Sequence, residues 1–161
     1  MSHFDTYRLI AFASIFMLMA VLEVFYPKRL LRRSRVRRWS SNIILSFLSS
    51  LSARYLLPFT GLSAAIFAEN KGIGLFNDII IHPLLTLVFI IVIFDLVIYW
   101  QHRIFHKVPI LWCMHKVHHA DPDYDVSTGV RFHPLEIVLS MVIKIFVILA
   151  LGAPVFAVAL F

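Results

Sequence analysis

Apolar residues fall along the chain in four long runs separated by short polar breaks. The first, about Tyr7 to Tyr26, can cross a bilayer as a helix rising about 1.5 Å per residue. Glu23-Val-Phe-Tyr-Pro27 closes that run without a small-residue cleavage site, so it reads as a retained helix and not a signal peptide. The second, Ser41 to Ala68, holds Arg54, Pro58 and Gly61, and fits either one kinked helix or a hairpin returning to the same side. Arg54 near its middle is costly against lipid and should snorkel or pair inside the bundle. Glu69 to Gly74 is a turn. The third run, Pro83 to Trp100, carries Asp95 as its only charge, and the fourth, Leu135 to Phe161, carries Lys144 and is broken by Gly152 and Pro154. This pattern predicts an all-α integral membrane protein, one domain over 1–161. It has about four transmembrane helices near 7–26, 41–68, 83–100 and 135–161, and a helical cap in the polar segment that follows the third.

Composition removes the alternatives. Hydrophobic residues make up 60% of the chain, charged residues 15%, and the mean hydropathy is +0.85. Those values exclude an ordinary soluble globule and a disordered tail. Cys113 is the only cysteine, so an intrachain disulfide and a cysteine-built zinc cage are both excluded. The net charge of +6 is local: Lys28, Arg29, Arg32, Arg33, Arg35, Arg37 and Arg38 supply seven positive charges, and the rest of the chain sums to −1. A dense basic stretch between apolar runs reads as a cytoplasmic loop touching anionic lipid headgroups at 28–38, with no nucleic-acid partner expected. With that loop inside, the third helix runs inward if the second run spans once. Residues Gln101 to His133 then lie on the cytoplasmic side of the membrane.

Six of the eight histidines fall between His102 and His133. Asp95, Tyr99, His102 and His106 share one helical face, and Pro109 ends that helix. His115, His118 and His119, at i, i+3 and i+4, share another. Neutral imidazole suits iron, zinc, copper and nickel, and five imidazoles exceed the three or so that one catalytic zinc needs. The spacing points to a two-metal centre at the membrane surface. His3 and His82 read as structural residues, since His82 lies about 30 Å from His102 along a helix and belongs to the opposite membrane face. Arg103 and Lys116 stand where a zinc protease needs its glutamate, and no nucleophile elbow, P-loop or dinucleotide glycine pattern is present.

The stretch Asp95-Leu-Val-Ile-Tyr-Trp-Gln-His-Arg-Ile-Phe-His106 resembles the first histidine box of the fatty acid hydroxylase / sterol desaturase superfamily. Trp112-Cys-Met-His-Lys-Val-His-His119 resembles its second, H-x-x-H-H. Asp121-Pro-Asp-Tyr-Asp125, Ser127-Thr128 and Arg131-Phe-His-Pro-Leu-Glu136 resemble the segment that trails the second box in bacterial members. The resemblance covers Asp95 to Glu136 and the membrane layout around it, and its bacterial character implies an inner membrane with the histidine cluster on the cytoplasmic side.

It implies a membrane oxygenase with a non-haem di-iron centre that hydroxylates or desaturates a fatty acyl or sterol-like lipid with O2. Electrons would come from a ferredoxin, a cytochrome b5-like protein or a reductase. On this resemblance His102, His106, His115, His118 and His119 are metal ligands, and His133 is either a further ligand or a residue beside the metals. Asp95, Tyr99, Asp121, Asp123, Asp125, Arg131 and Glu136 are candidates to surround and orient the imidazoles, the three loop aspartates being equally readable as a solvated turn. The family carries another histidine box downstream, whereas no histidine follows His133, so this sequence is expected to be a piece of a longer protein. The competing reading is a non-catalytic or metal-binding membrane protein, a truncated or degenerate member.

Overall fold

The computed structural model describes residues 3–79 and 81–161, without the side chains of residues 3–5 and 8. Among them are α1 (His3–Phe25), α2 (Arg35–Leu56), α3 (Gly61–Lys71), the single turn α4 (Leu75–Asp78), α5 (Pro83–Lys107) and α6 (Pro109–His119). A 3-10 turn (Val126–Val130), α7 (Pro134–Leu151) and α8 (Val155–Leu160) complete the described chain, and no strand occurs among these residues.

Three stretches among the described residues are long and apolar enough to cross a membrane: Arg35–Asp78, Pro83–Lys107 and Pro134–Leu151. Leu9–Phe25 of α1 is a shorter apolar helix. Leu84, Val88, Val92 and Leu96 on α5 and Phe146 on α7 are exposed, as expected of side chains that face lipid.

Local chemistry sets the breaks. Leu57 to Thr60, with Pro58, interrupts the second apolar run, and Thr60 restarts it as α3 through a capping box with Ser63. Contacts resolve the two readings of this run. Ser49 Oγ donates to the Phe132 carbonyl at 2.9 Å, Gly61 lies against Ile148, and Gly74 lies against Gly152. The run therefore advances in one direction along α7, as a single broken traverse. The fourth run is two elements and not one span. Gly152 takes a left-handed φ of 63°, capping α7, and Pro154 starts α8 back toward the core. There Ala157 and Val158 pack with Ala64 and Ala65 of α3, Ile90 and Phe94 of α5, and Ile148 of α7. Small residues let these helices approach closely where apolar area alone gives no drive in lipid.

At that far end the backbones themselves touch. Gly74 has φ 102°, and a Cβ on it would lie 2.1 Å from the Gly152 nitrogen; one on Gly152 would lie 2.6 Å from the Ile73 carbonyl oxygen. Only glycine fits either position.

Two helices begin with the same pair of residues. His82 and His133 each accept a hydrogen bond at Nδ1 from the backbone N–H two residues on, and Pro83 and Pro134 each occupy the first helical position. His82 thus sits at the opposite end of α5 from His102 and works as a cap. The His3 side chain lies outside the described residues.

Candidate metal centre

The membrane helix α5 continues past Trp100 to Lys107, carrying His102 and His106 on its last two turns. Val108 ends it and Pro109 opens α6, which folds back so that its His115 and His119 meet them. Ligand atoms of His102, His106, His115 and His119 all lie within 4.8 Å of one another. Nε2 of His102 and His106 are 3.1 Å apart, and Nε2 of His115 and His119 are 3.2 Å apart. Four imidazoles thus converge nitrogen-first, a donor set that suits a first-row transition metal. His115 is buried; the other three are exposed.

His118 stands beside this group, not in it. Its Nδ1 donates to the Arg131 carbonyl at 3.2 Å and its ring stacks on Phe132 at 4.6 Å, which leaves Nε2 as a bare acceptor. His133, capping α7, is also outside the four.

Glu136 is the best placed of the expected orienting residues. Its Oε1 lies 2.6 Å from His115 Nδ1, with 3% of Glu136 and 1% of His115 exposed. A carboxylate on Nδ1 fixes the tautomer and turns Nε2 toward the other rings. Its Oε2 is buried with no hydrogen-bond partner, an orphaned acceptor beside the cluster. Arg131 braces α6 against α2: Nε donates to the Val117 backbone carbonyl at 2.7 Å and Nη1 to the Asn42 side-chain Oδ1 at 2.7 Å. Burial, followed by the charges of His106 and His118, lowers the His115 pKa to about 4. Burial and the neighbouring imidazoles, His115 foremost, also lower that of His119. Both rings are neutral at pH 7, the form that binds metal.

The remaining expected residues point elsewhere. Asp95 is exposed on α5, and Tyr99 accepts from Arg103 at 2.9 Å. Asp121, Asp123 and Asp125 turn away from the imidazoles, because a stronger partner faces them. Arg38, 4% exposed in its side chain, donates to Asp121 Oδ1 at 2.9 Å and also bonds Asp125. Asp121 further accepts from Asn42 at 2.9 Å and Thr128 at 2.8 Å; Asp123 accepts from the backbone N–H of Arg32 and Arg33. These aspartates are neither imidazole orienters nor a solvated turn. Burial raises the Asp121 pKa, but the bonds from Asn42 and Thr128, with Arg38, outweigh it and the net shift is downward. The Arg32 and Arg33 N–H groups and Arg38 likewise lower Asp123. Arg38 is consequently unavailable to lipid headgroups, whereas Lys28, Arg29, Arg32, Arg33 and Arg37 are exposed.

Sequence reasoning missed this network. Its signal was the spacing of Arg38, Asn42 and Ser49 at i, i+4 and i+11, a polar stripe on an apolar helix. Tyr124, 3.3 Å from His119 Nδ1, and Trp112, against His106 and His119, were also missed.

Between α5 and α7 lies a cavity of about 300 Å³. Its walls are mainly apolar, among them Val97, Phe105, Ile137 and Met141, and His102, His115 and Glu136 stand at one part of its lining.

Residues 87–161 match the model of the fatty acid hydroxylase family. Over 44 residues, 27% of this chain and 10% of the relative, the sequence is 43% identical to an alkylglycerol monooxygenase of Homo sapiens. Proteins of the same name match at 46% identity over 33 residues in Xenopus tropicalis and over 37 in Danio rerio. Those matches span 20% and 23% of this chain, and 7% and 8% of the relatives. The matched segments thus span a tenth or less of these relatives. No solved structure matches the chain.

Proposed function

We propose, from the match of residues 87–161 to the fatty acid hydroxylase family, that the complete protein is an iron-dependent membrane oxygenase acting on a lipid alkyl chain. The observation that carries this reading is the juxtaposition of converging imidazoles with an apolar cavity reaching His102 and His115. The four imidazoles fit iron by donor type, and His118 Nε2 offers a fifth nitrogen beside them. Iron held there would supply the activation of O2 that an unreactive C–H bond requires.

The chain's own residues supply position and enclosure. Glu136 holds the His115 ring. Phe105 and Phe132 wall the cavity beside the cluster and keep water from an alkyl chain lying in it. The cavity lies at the small end of the range for ligand sites, about 300–1,000 Å³, and its lining suits a single chain better than a fused-ring body. The relatives' name makes an ether-linked alkyl lipid one candidate; fatty acyl chains are another. Hydroxylation is favoured over desaturation by the family's and relatives' names. His102, His106 and His119 are exposed, within reach of an electron-donor protein such as a ferredoxin, a cytochrome b5-like protein or a reductase.

The test is metal content and lipid oxygenation by the complete protein in mild detergent, for wild type, His115→Ala and His118→Ala. Oxygenation lost together with iron in His115→Ala supports the reading, and retained turnover overturns it. Loss in His118→Ala as well would add that ring to the ligand set. Metal bound by the wild type with no oxygenation of any alkyl lipid would favour the metal-binding alternative.

A further inference from the structure

A second cavity, of about 300 Å³, opens where α2 enters the bundle beside the loop that follows His119. Arg33, Arg37, Arg38 and Arg131 line it together with Ser41, and Asp121 is its one carboxylate. Arg38 and Arg131 are held in place by the bonds described above. Arg33 and Arg37 are different: neither side chain has a hydrogen bond or ion pair among the described residues. Two guanidinium groups without a partner among the described residues therefore share the lining of this cavity with two that are held in place.

The start of α2 adds to this. Its first turn carries Arg35, Arg37 and Arg38 and no acid, and Ser34 at the cap makes no side-chain bond. That end of a helix favours an anion, and here cations crowd it instead. Arg38 is committed to the aspartates, its Nε lying 3.7 Å from Asp123 Oδ2, so the charge the cavity offers a ligand is that of Arg33 and Arg37. The chemical complement of two unpaired guanidinium groups is an anion with several acceptor oxygens. Phosphate fits best, since guanidinium groups bind it through paired hydrogen bonds.

We propose that this cavity is a phosphate-binding site that takes the phosphate of a membrane lipid headgroup. Its place supports the source: the cavity lies at the end of α2 from which the apolar run begins, where headgroups lie. The inference does not depend on oxygenation or on metal. It turns the basic stretch at 28–38 from a diffuse charge into one defined site.

The test uses the full chain, delipidated in mild detergent. It is titrated with short-chain phosphatidylglycerol and, separately, with inorganic phosphate; bound ligand is counted by native mass spectrometry and thermal shift. Three variants are compared: Arg33→Gln/Arg37→Gln, the charge-keeping Arg33→Lys/Arg37→Lys, and Lys28→Gln/Arg29→Gln. The last removes the same charge from the same loop outside the cavity. The expected result is one tightly held lipid, weakened about tenfold or more in the glutamine pair, less in the lysine pair, and about twofold in the control. Binding of inorganic phosphate with the same dependence, and no lipid binding, would keep the site and make its source soluble. Equal weakening in the glutamine pair and the control would overturn the proposal in favour of diffuse attraction. No binding of either ligand to the wild type would also overturn it. Circular dichroism of each variant confirms that the fold is retained.

Discussion

Arg38→Gln removes the one cation on which Asp121, Asp123 and Asp125 converge. The side chains of these aspartates are 1%, 8% and 8% exposed, so none can recover full hydration in the folded state. Removing one member of a buried ion pair costs about 3–5 kcal/mol, because the abandoned charge stays buried. Asp121 would keep its bonds from Asn42 and Thr128, and Asp123 those from two backbone N–H groups, which places the loss near the lower bound. About 3 kcal/mol corresponds to a fall in melting temperature of roughly 6–12 °C for a chain of this size. Thermal unfolding in mild detergent at pH 7 reads this directly. Adding Asp121→Asn to Arg38→Gln should restore part of the loss, since it removes an unpaired charge, whereas Asp121→Asn alone should destabilise. Such non-additivity is the signature of a direct pair. A melting temperature within about 2 °C of wild type for Arg38→Gln would refute the reasoning, because it would put the network in the class of weak, solvated surface pairs.

Other outcomes follow from the same geometry. Glu136→Gln should weaken metal binding about 10- to 100-fold, measured by chelator competition, while the helical content stays unchanged. His82→Ala should leave metal content intact and cost about 1 kcal/mol, as a lost helix cap, in thermal unfolding; a large loss of metal would contradict the placement of His82 at the far end of α5. The metal-free protein should lose stability on acidification. His115 has a folded pKa of about 4 against about 6.5 unfolded, so between those values the unfolded chain binds more protons and stability falls with falling pH. Melting temperatures of metal-free protein from pH 7 to 4 check this, and a flat profile would rule out a buried neutral His115.

The sequence made the histidine faces legible because helical periodicity alone aligns His102 with His106 and His115 with His119. It made Glu136 legible only as one of several acids, since the bond to His115 joins residues 21 positions apart across two helices. The loop aspartates were misread because their partner, Arg38, lies 83 positions from Asp121 and looked like one more member of a lipid-facing basic run. His133 carried a local clue that went unused: the His-Pro pair at 133–134 repeats the pair at 82–83, and both begin helices. The breaks at Pro58 and Gly152 were visible as residues, but their effect was not. A kink, a hairpin and a reversal use the same residues, and only contacts with α7 distinguish them.

The paired glycines at 74 and 152 give α7 the character of a gauge. One end of this helix is seated backbone against backbone, with no side chain to yield, and about 24 Å away the other end presents Glu136 to His115. The bond there is 2.6 Å long, and lengthening it by roughly 1 Å would take it past hydrogen-bonding reach. The alignment of a ring at one surface of the bundle is therefore referred to a datum at the opposite surface. An alanine at position 152 would act as a shim, and its effect would surface as detuned imidazoles far from the residue that was changed.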